Sequence, residues 1–191
     1  LLEGEPFLLA WGDHLCRSTA PDGRGCVAQL LSAFDGRSSI ASMHMLRGGD
    51  LHSAGTFACR EPPSPLPPPL GERSVEDGRP ALWPLSHVAE KPSAIYAQEH
   101  LRTPGLPEGR YLASFGQYVL TPTLFAALRA KARGHFSDAL DTLRQQEGLN
   151  GVLIEGVRWD LGSSGTYVEA LQAQAAGDDA EPPRKKARAE G

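Results

Sequence analysis

The sequence comprises 191 residues with a formal net charge of -4 at pH 7, and 40% of the residues are hydrophobic, which is enough for the core of one globular domain. A net negative chain is not expected to bind nucleic acid, because nucleic-acid binders usually present a basic surface to the phosphates. No apolar run approaches the roughly 20 residues that span a bilayer, and the acidic start is unlike a secretory signal, so no membrane partner is expected.

The cysteines indicate the redox compartment of the protein, and the position of the first methionine bears on whether the chain is part of a longer one. Cys16, Cys26 and Cys59 are odd in number and lack the spacing of a metal site, so a reducing, cytoplasmic setting is expected. Position 1 is Leu, and the first methionine is Met43, inside a predicted strand. We therefore expect the chain to begin within a longer protein.

The first predicted element is a strand over residues 6–11, a continuous apolar run that is typical of a strand buried on both faces of a sheet. Gly12 and Asp13 follow this strand. Asp13 would then lie at the carboxyl edge of the sheet, where open α/β sheets bind their ligands. A Gly-Asp pair is also common in ordinary turns, so both interpretations stay open.

A helix, two strands and a long loop are predicted next. Apolar residues recur at helical spacing over residues 23–34, and residues 39–46 alternate as in a strand. Gly55 lies in the apolar segment 53–57, either as a bulge glycine or as a point where a ligand approaches the backbone closely. The proline-rich stretch 61–80 is predicted to be an exposed loop inserted between two strands, with a ligand for a proline-recognition domain as the alternative.

The stretch 83–92, Trp-Pro-Leu-Ser-His-Val-Ala-Glu-Lys-Pro, is predicted to be a strand that ends in charged groups. It delivers Glu90 and Lys91 to a point where Pro92 prevents further pairing. Adjacent residues of a strand face opposite sides, so these two residues could reach different parts of one ligand, such as hydroxyl groups and a phosphate. An ordinary solvated strand end has the same pattern.

Helices and strands continue to alternate after Pro92. We predict a helix, a strand, two helices, a strand and a final helix over residues 94–102, 111–120, 121–133, 138–146, 151–157 and 165–175. The first of these strands contains Gly116, and Asp160 lies in a turn before the final helix. Tyr167, Val168 and Leu171 are expected on the buried side of that helix.

Four short patterns occur in order along the second half of the chain. They are Glu90-Lys91-Pro92, Gly116-x-Tyr118-Val119-Leu120, Ser137-Asp138-Ala139-Leu140, and Asp160-x-Gly162 followed by Tyr167-x-x-Ala170. In this order and at about this separation they resemble the C-terminal half of the sugar-phosphate nucleotidyltransferases, in particular the bacterial-type UTP–glucose-1-phosphate uridylyltransferases. The resemblance covers roughly residues 6–171.

The alternation of strand and helix signals predicts an α/β fold in which helices flank a mixed, largely parallel sheet. The resemblance implies a Rossmann-like nucleotidyltransferase sheet whose N-terminal part is missing here. Residues 1–176 would form the C-terminal portion of that domain, with the insert at 61–80, and residues 177–191 a disordered charged tail. The implied activity forms UDP-glucose and pyrophosphate from UTP and glucose 1-phosphate with Mg²⁺. Family members are often oligomeric, so a homo-oligomer is an expectation.

The resemblance also assigns roles to individual residues. The Mg²⁺ ligands would be Asp13 and Asp160. Lys91 would act catalytically by contacting phosphate, and Glu90 would accept hydrogen bonds from glucose hydroxyls. Gly55 and Gly116 would let the sugar approach the backbone. Turn formation and helix-dipole complementarity would account for the two aspartates as well.

One departure from the family is large. These enzymes begin with a glycine-rich loop, Gly-x-Gly-Thr-Arg-x-x-Pro, that holds the nucleoside triphosphate, and this sequence contains no such loop. We therefore expect the chain to be inactive alone. Two alternatives stay open, namely a non-catalytic sugar-phosphate-binding or interaction module and a thymidylyltransferase of the same family.

Overall fold

The computed structural model describes residues 4–61, 75–76, 79–130, 134–162 and 164–178. Its strands are β1 (Phe7–Ala10), β2 (His14–Ser18), β3 (Ile40–Arg47), β4 (Thr56–Cys59), β5 (Val75–Glu76), β6 (Arg79–Pro80), β7 (Trp83–Ala89), β8 (Arg110–Leu120), β9 (Asn150–Leu153) and β10 (Gly156–Asp160). Its helices are α1 (Cys26–Ser32), α2 (Ala94–His100), α3 (Thr123–Ala130), α4 (Phe136–Glu147) and α5 (Ser164–Asp178).

The sheet is organised around β8, which is 11 residues long. One edge of β8 pairs with β3, and its other edge pairs with β4 near its start and with β1 at its end. From β3 the pairing continues to β9, then to β7 and then to β4. Because β4 also pairs with β8, the strands β8, β3, β9, β7 and β4 close into a barrel, and β1 remains at an edge.

The sheet differs from the predicted one in strand direction. The mixed α/β class with flanking helices is confirmed, but the expectation of a largely parallel, Rossmann-like sheet is wrong. Among the described strand pairs, only β3 and β9 run parallel. Parallel neighbours need a long crossover connection, and alternation of helix and strand along a sequence does not specify which strands become neighbours.

The core occupies both faces of the sheet, because successive side chains of a strand point to opposite sides. On one face, α3 and α4 pack Leu124, Leu140 and Leu143 against Phe57 and Trp83. On the other face, α1 covers a second cluster, formed by Leu30, Ile40, Phe115, Val119, Val152 and Ile154. Each fully buried side chain of this size contributes about 1.5–3 kcal/mol relative to exposure, so these two layers stabilise the sheet that carries the site described below.

Several local predictions need correction. The strand predicted over 6–11 exists as β1, but as an edge strand with Leu8 46% exposed, not as a strand buried on both faces. The strand predicted over 151–157 is two strands, β9 and β10, in different sheets, and Asp160 is the last residue of β10. The apolar residues of α5 that were expected to be buried are exposed, namely Tyr167, Val168 and Leu171.

Other expectations fall partly outside the described residues. The stretch 61–80, predicted to be a loop, contains the short strands β5 and β6, while residues 62–74 and 77–78 lie outside the described ranges. The tail was predicted over residues 177–191, but residues 177 and 178 belong to α5, and the part from residue 179 onward lies outside the described ranges. Cys16, Cys26 and Cys59 are free thiols. Within the part that the structure describes, no helix combines the length and apolar character needed to cross a bilayer.

Candidate functional site

A cavity of about 290 Å³ lies where the two-stranded ribbon of β2 and β10 meets the middle of β8, the end of β7 and the start of α4. The predicted site residues on its walls are Asp13, Gly55, Glu90, Lys91 and Asp160. Further polar or aromatic walls are Trp11, His14, Ser114, Tyr118, His135, Phe136, Ser137 and Arg158. Residues that are far apart in the sequence therefore share one opening.

Two carboxylates and an imidazole form the most polar corner of the cavity. The register of the ribbon places His14 directly opposite Asp160, and Asp13 precedes β2 by one residue. His14 Nε2 lies 4.0 Å from Asp13 Oδ1 and 3.8 Å from Asp160 Oδ2. One ligand atom from each residue lies within 4.8 Å of the other two, which is a spacing that can surround a metal ion. The Gly162 backbone N–H donates to Asp160 Oδ1 at 2.9 Å and so orients that carboxylate.

The His14 ring is seated against Gly116. A Cβ at position 116 would lie 2.1 Å from His14 Nδ1, and Gly116 has a φ of +95°, which favours glycine. Nδ1 is buried and makes no hydrogen bond of regular geometry among the described residues, although the Phe115 backbone is close enough to act on the ring. Burial and the charge of Arg158 lower the pKa of His14, while Asp13, Asp160 and the backbone of Phe115 act in the opposite direction. The neutral imidazole, which is the form that can bind a metal ion, is therefore favoured.

Two cationic side chains, Lys91 and Arg158, line the same cavity. Arg158 is largely buried, donates from Nη1 to the Ser114 carbonyl at 3.4 Å, and has an Nε without a partner in the described part of the chain. Burial lowers the pKa of Arg158, and Asp160 acts to raise it. Lys91 is exposed at the rim and has a φ of +39°, the one positive φ of a described non-glycine residue. Strain of about 1–3 kcal/mol at such a residue is typical of functional loops.

Glu90 is held in place by α4. β7 ends at Ala89, so Glu90 and Lys91 lie in a bend just beyond the strand instead of alternating at its end. The Ser137 hydroxyl in the first turn of α4 donates to Glu90 Oε2 at 2.5 Å. A Cβ on Gly55 would lie 3.3 Å from Ser137 Oγ and 3.4 Å from Glu90 Oε2, so the glycine leaves room for this pair.

The helix at this wall begins two residues earlier than predicted. α4 begins at Phe136, not at residue 138, and His135 is its N-cap. The Asp138 carboxylate accepts the His135 backbone N–H at 2.7 Å and so caps the helix. The shift places the Ser137 hydroxyl in the cavity.

An aromatic surface forms the remaining wall. The ring of Phe136 packs edge-on against both Trp11 and Tyr118, at centroid distances of 5.1 and 5.4 Å. The Tyr118 hydroxyl hydrogen-bonds Ser114 Oγ at 2.5 Å, and burial raises the pKa of Tyr118 to about 12, so this phenol is neutral. This wall is therefore apolar and carries no ionised phenol.

The structure brings most of the sequence-predicted site residues together and separates one. Gly116 does not line the cavity but lies behind it, in contact with the His14 ring. Sequence reasoning missed His14, Arg158 and Ser137. The adjacency of His14 to Asp13 was visible in the sequence, but its meaning depends on Gly116 and Asp160, which lie far along the chain.

The fold is that of the solved UDP-glucose pyrophosphorylases. A crystal structure of UDP-glucose pyrophosphorylase complexed with UDP-glucose matches with a TM-score of 0.65 and 23% identity, over 91% of this chain and 57% of that chain. A UTP-bound UGPase from Acinetobacter baumannii matches with a TM-score of 0.67 and 15% identity, over 96% of this chain and 54% of that chain. No protein-family model matches the sequence.

A curated relative agrees with this class. The UTP–glucose-1-phosphate uridylyltransferase of Streptococcus pneumoniae serotype 4 is 27% identical over 165 residues, which cover 83% of this chain and 46% of the relative. The chain thus spans about half the length of the curated relative that it matches. The predicted resemblance to this class of enzymes is confirmed.

Proposed function

We propose that this chain forms the metal-binding and sugar-phosphate-binding part of a Mg²⁺-dependent UTP–glucose-1-phosphate uridylyltransferase. The observation that carries the proposal is the convergence of Asp13, Asp160, Glu90 and Lys91 on one cavity. The names of the relatives supply the substrates, UTP and glucose 1-phosphate. In the reaction, an oxygen of the sugar phosphate bonds to the α-phosphorus of UTP, the α–β anhydride bond breaks, and pyrophosphate leaves.

The donor set fits a divalent cation. Asp13 and Asp160 present carboxylate oxygens at a side of the cavity that water can reach, since their side chains are 63% and 40% exposed. Mg²⁺ prefers oxygen ligands, keeps several waters and is usually held by one or two carboxylates. When bound, the ion would neutralise phosphate charge and help to align the attacking and leaving oxygens.

The cations and the remaining polar groups would bind the sugar phosphate. Lys91, with Arg158 behind it, would offset the repulsion between two polyanions. Glu90 has one carboxylate oxygen engaged by Ser137, so its other oxygen would accept a hydrogen bond from a glucose hydroxyl. Gly55, beside this pair, would let the sugar approach the backbone. No residue of the chain needs to act as a covalent nucleophile, because the sugar phosphate itself attacks.

The Lys91 contact can be tested by calorimetric titration of glucose 1-phosphate into the chain in the presence of Mg²⁺. Loss of a charge-assisted contact worth about 1.5–3 kcal/mol should weaken binding about 10- to 100-fold in Lys91→Ala. Arg129→Ala serves as the matched control, because it removes an exposed cation from α3 outside the cavity. Equal affinity of the wild type and Lys91→Ala would contradict the assigned role.

Two alternatives rest on the half-length match and the missing triphosphate loop. A non-catalytic sugar-phosphate-binding module would use the same cavity, and a thymidylyltransferase would differ only in the nucleotide. Turnover by these 191 residues alone stays predicted to be absent. Pyrophosphate release measured with UTP and with dTTP, on an enzyme that contains both this chain and a triphosphate loop, separates the three. Pyrophosphate release with UTP but not with dTTP favours the uridylyltransferase.

A homo-oligomer and a cytoplasmic location also stay predictions.

A further inference from the structure

We infer that His14 is a third protein ligand of the cation at the Asp13–Asp160 site, so that this site holds divalent transition-metal ions such as Mn²⁺ more tightly than Mg²⁺. The inference rests on the proposed function for the existence of the metal site. To the proposed function, the inference adds one nitrogen ligand and the class of metal ion that this ligand selects.

The distances favour coordination over hydrogen bonding. His14 Nε2 lies 4.0 and 3.8 Å from the nearest oxygens of Asp13 and Asp160, which is too long for a hydrogen bond. Two metal–ligand bonds of about 2.1–2.3 Å joined at one ion span up to about 4.2–4.6 Å, so a single cation can bridge such a gap. Asp13 precedes the strand instead of alternating with His14 along it, which lets both side chains face the same corner.

The imidazole is fixed in this position by its surroundings. Only 11% of the His14 side chain is exposed. The ring fits against residue 116 only because that residue is glycine. A Cβ there would lie 2.1 Å from His14 Nδ1 and 3.1 Å from Trp11 Cδ1. Nδ1 is buried on the side of Gly116 and the Phe115 backbone, whereas Nε2 faces the two carboxylates. A ring that is oriented in advance in this way binds a metal ion without losing further side-chain freedom.

The chemistry of the ligand decides the metal preference. Mg²⁺ is a hard ion that favours oxygen and gives up water reluctantly. An imidazole nitrogen suits divalent transition metals better than it suits Mg²⁺, and Mn²⁺, the weakest binder of the transition-metal series, is the most demanding test of this preference. A purely carboxylate site would discriminate less between the two classes, so the selectivity should depend on His14.

Mn²⁺ provides a direct readout that does not require turnover. Free Mn²⁺ is measured by electron paramagnetic resonance during titration of the chain, and Mg²⁺ affinity is measured by competition. In His14→Gln, Mn²⁺ affinity should fall at least about tenfold, whereas Mg²⁺ affinity should change less than about threefold. His100→Gln is the control, because His100 is exposed on α2 and does not line the cavity. Pulsed spectra of the bound Mn²⁺ should show ¹⁴N coupling from a coordinated imidazole in the wild type.

The outcomes separate this inference from the proposed function. Bound Mn²⁺ without ¹⁴N coupling, or an equal loss of both metals in His14→Gln, would overturn the role of His14 and leave the carboxylate site intact. Failure of the wild type to bind either metal, or unchanged binding in the double variant Asp13→Asn, Asp160→Asn, would overturn both. If His14→Gln does not fold, as judged by circular dichroism, the ¹⁴N coupling of the wild type decides alone.

Discussion

Two glycines determine where the polar side chains of the cavity can lie. Gly116 leaves space for the His14 ring, and Gly55 leaves space for the hydrogen-bonded pair of Glu90 and Ser137. Both glycines were predicted to admit the sugar. Their neighbours in the folded chain are protein side chains, so each glycine has a structural reason that is independent of a ligand.

Replacement of Gly116 by Ala should destabilise the protein more than replacement of another glycine of similar φ. Gly36 is the matched control, because its φ is +84° and a Cβ there would meet nothing within 4 Å. Gly36→Ala should cost only the backbone term of about 1–2 kcal/mol, whereas Gly116→Ala should cost about 1–3 kcal/mol more for the clash with His14. Urea unfolding of both variants measures the difference. Equal losses would show that the His14 ring moves away at no cost.

His44 makes the stability of the protein depend on pH. It lies on β3 with its ring edge-on to Phe115, and its Nε2 is buried without a partner among the described residues. Burial, together with the charge of Arg158 and the nearby His14, lowers the pKa of His44 from 6.5 to about 4. Between these two values the unfolded chain binds the proton and the folded protein does not, so stability falls as the pH drops through this window.

His44→Leu should remove this part of the pH dependence. Protonation of His44 between pH 7 and pH 4 should lower the unfolding free energy of the wild type by up to about 3 kcal/mol. The loss over the same pH range should be smaller in the variant by that amount. Urea titrations at half-unit pH intervals measure the two slopes. His100→Leu, at an exposed position on α2, should keep the slope of the wild type. Parallel curves for His44→Leu and the wild type would contradict the prediction.

One carboxylate of helix α4, that of Asp141, links the helix to strand β7. Asp141 accepts the Val88 backbone N–H at 3.2 Å, Arg144 Nε at 2.8 Å and Gln145 Nε2 at 2.6 Å. Burial acts to raise the pKa of Asp141, but the hydrogen bond and charge of Arg144 outweigh it, and the pKa is lowered. The helix start, which carries Ser137 and Phe136, is thereby held beside the end of β7 that leads to Glu90.

Asp141→Ala should lower the free energy of unfolding by about 1–3 kcal/mol, because it leaves the Val88 N–H and the Arg144 side chain without their partner. Gln145→Ala is the control, since it removes one exposed donor and keeps the other two bonds. It should cost less than about 1 kcal/mol. Denaturant unfolding compares the two variants, and an Asp141→Ala loss no larger than that of the control would show that the link between helix and strand carries no stability.

Local patterns predicted the kind of most helices and strands but not their environment. Helix signals in the sequence located α1, α2, α3 and α4 to within a few residues. The same reasoning failed for α5, whose Tyr167, Val168 and Leu171 are exposed. An apolar stripe shows what a helix can bury, but its partner lies elsewhere in the chain. The division of 151–157 into two strands likewise depends on the pairing of β10 with β2.

The arrangement of the whole sheet was the least predictable feature. Closure of the barrel requires β8 to pair with β3 on one edge and with both β4 and β1 on the other, and no local pattern specifies such shared edges. Five residues that were assigned by resemblance nevertheless line one cavity, namely Asp13, Gly55, Glu90, Lys91 and Asp160. His14 and Arg158 could not be assigned in that way, because the resemblance gave them no role.

A crystal structure of the chain grown with Mn²⁺ and glucose 1-phosphate tests the site most directly, since the anomalous signal of manganese locates the ion independently of the refined coordinates. We predict an anomalous peak about 2.1–2.3 Å from carboxylate oxygens of both Asp13 and Asp160, with the sugar phosphate in the same cavity and its phosphate within hydrogen-bond distance of Lys91. A metal ion bound elsewhere, or a sugar phosphate bound away from Glu90 and Lys91, would contradict the proposed function.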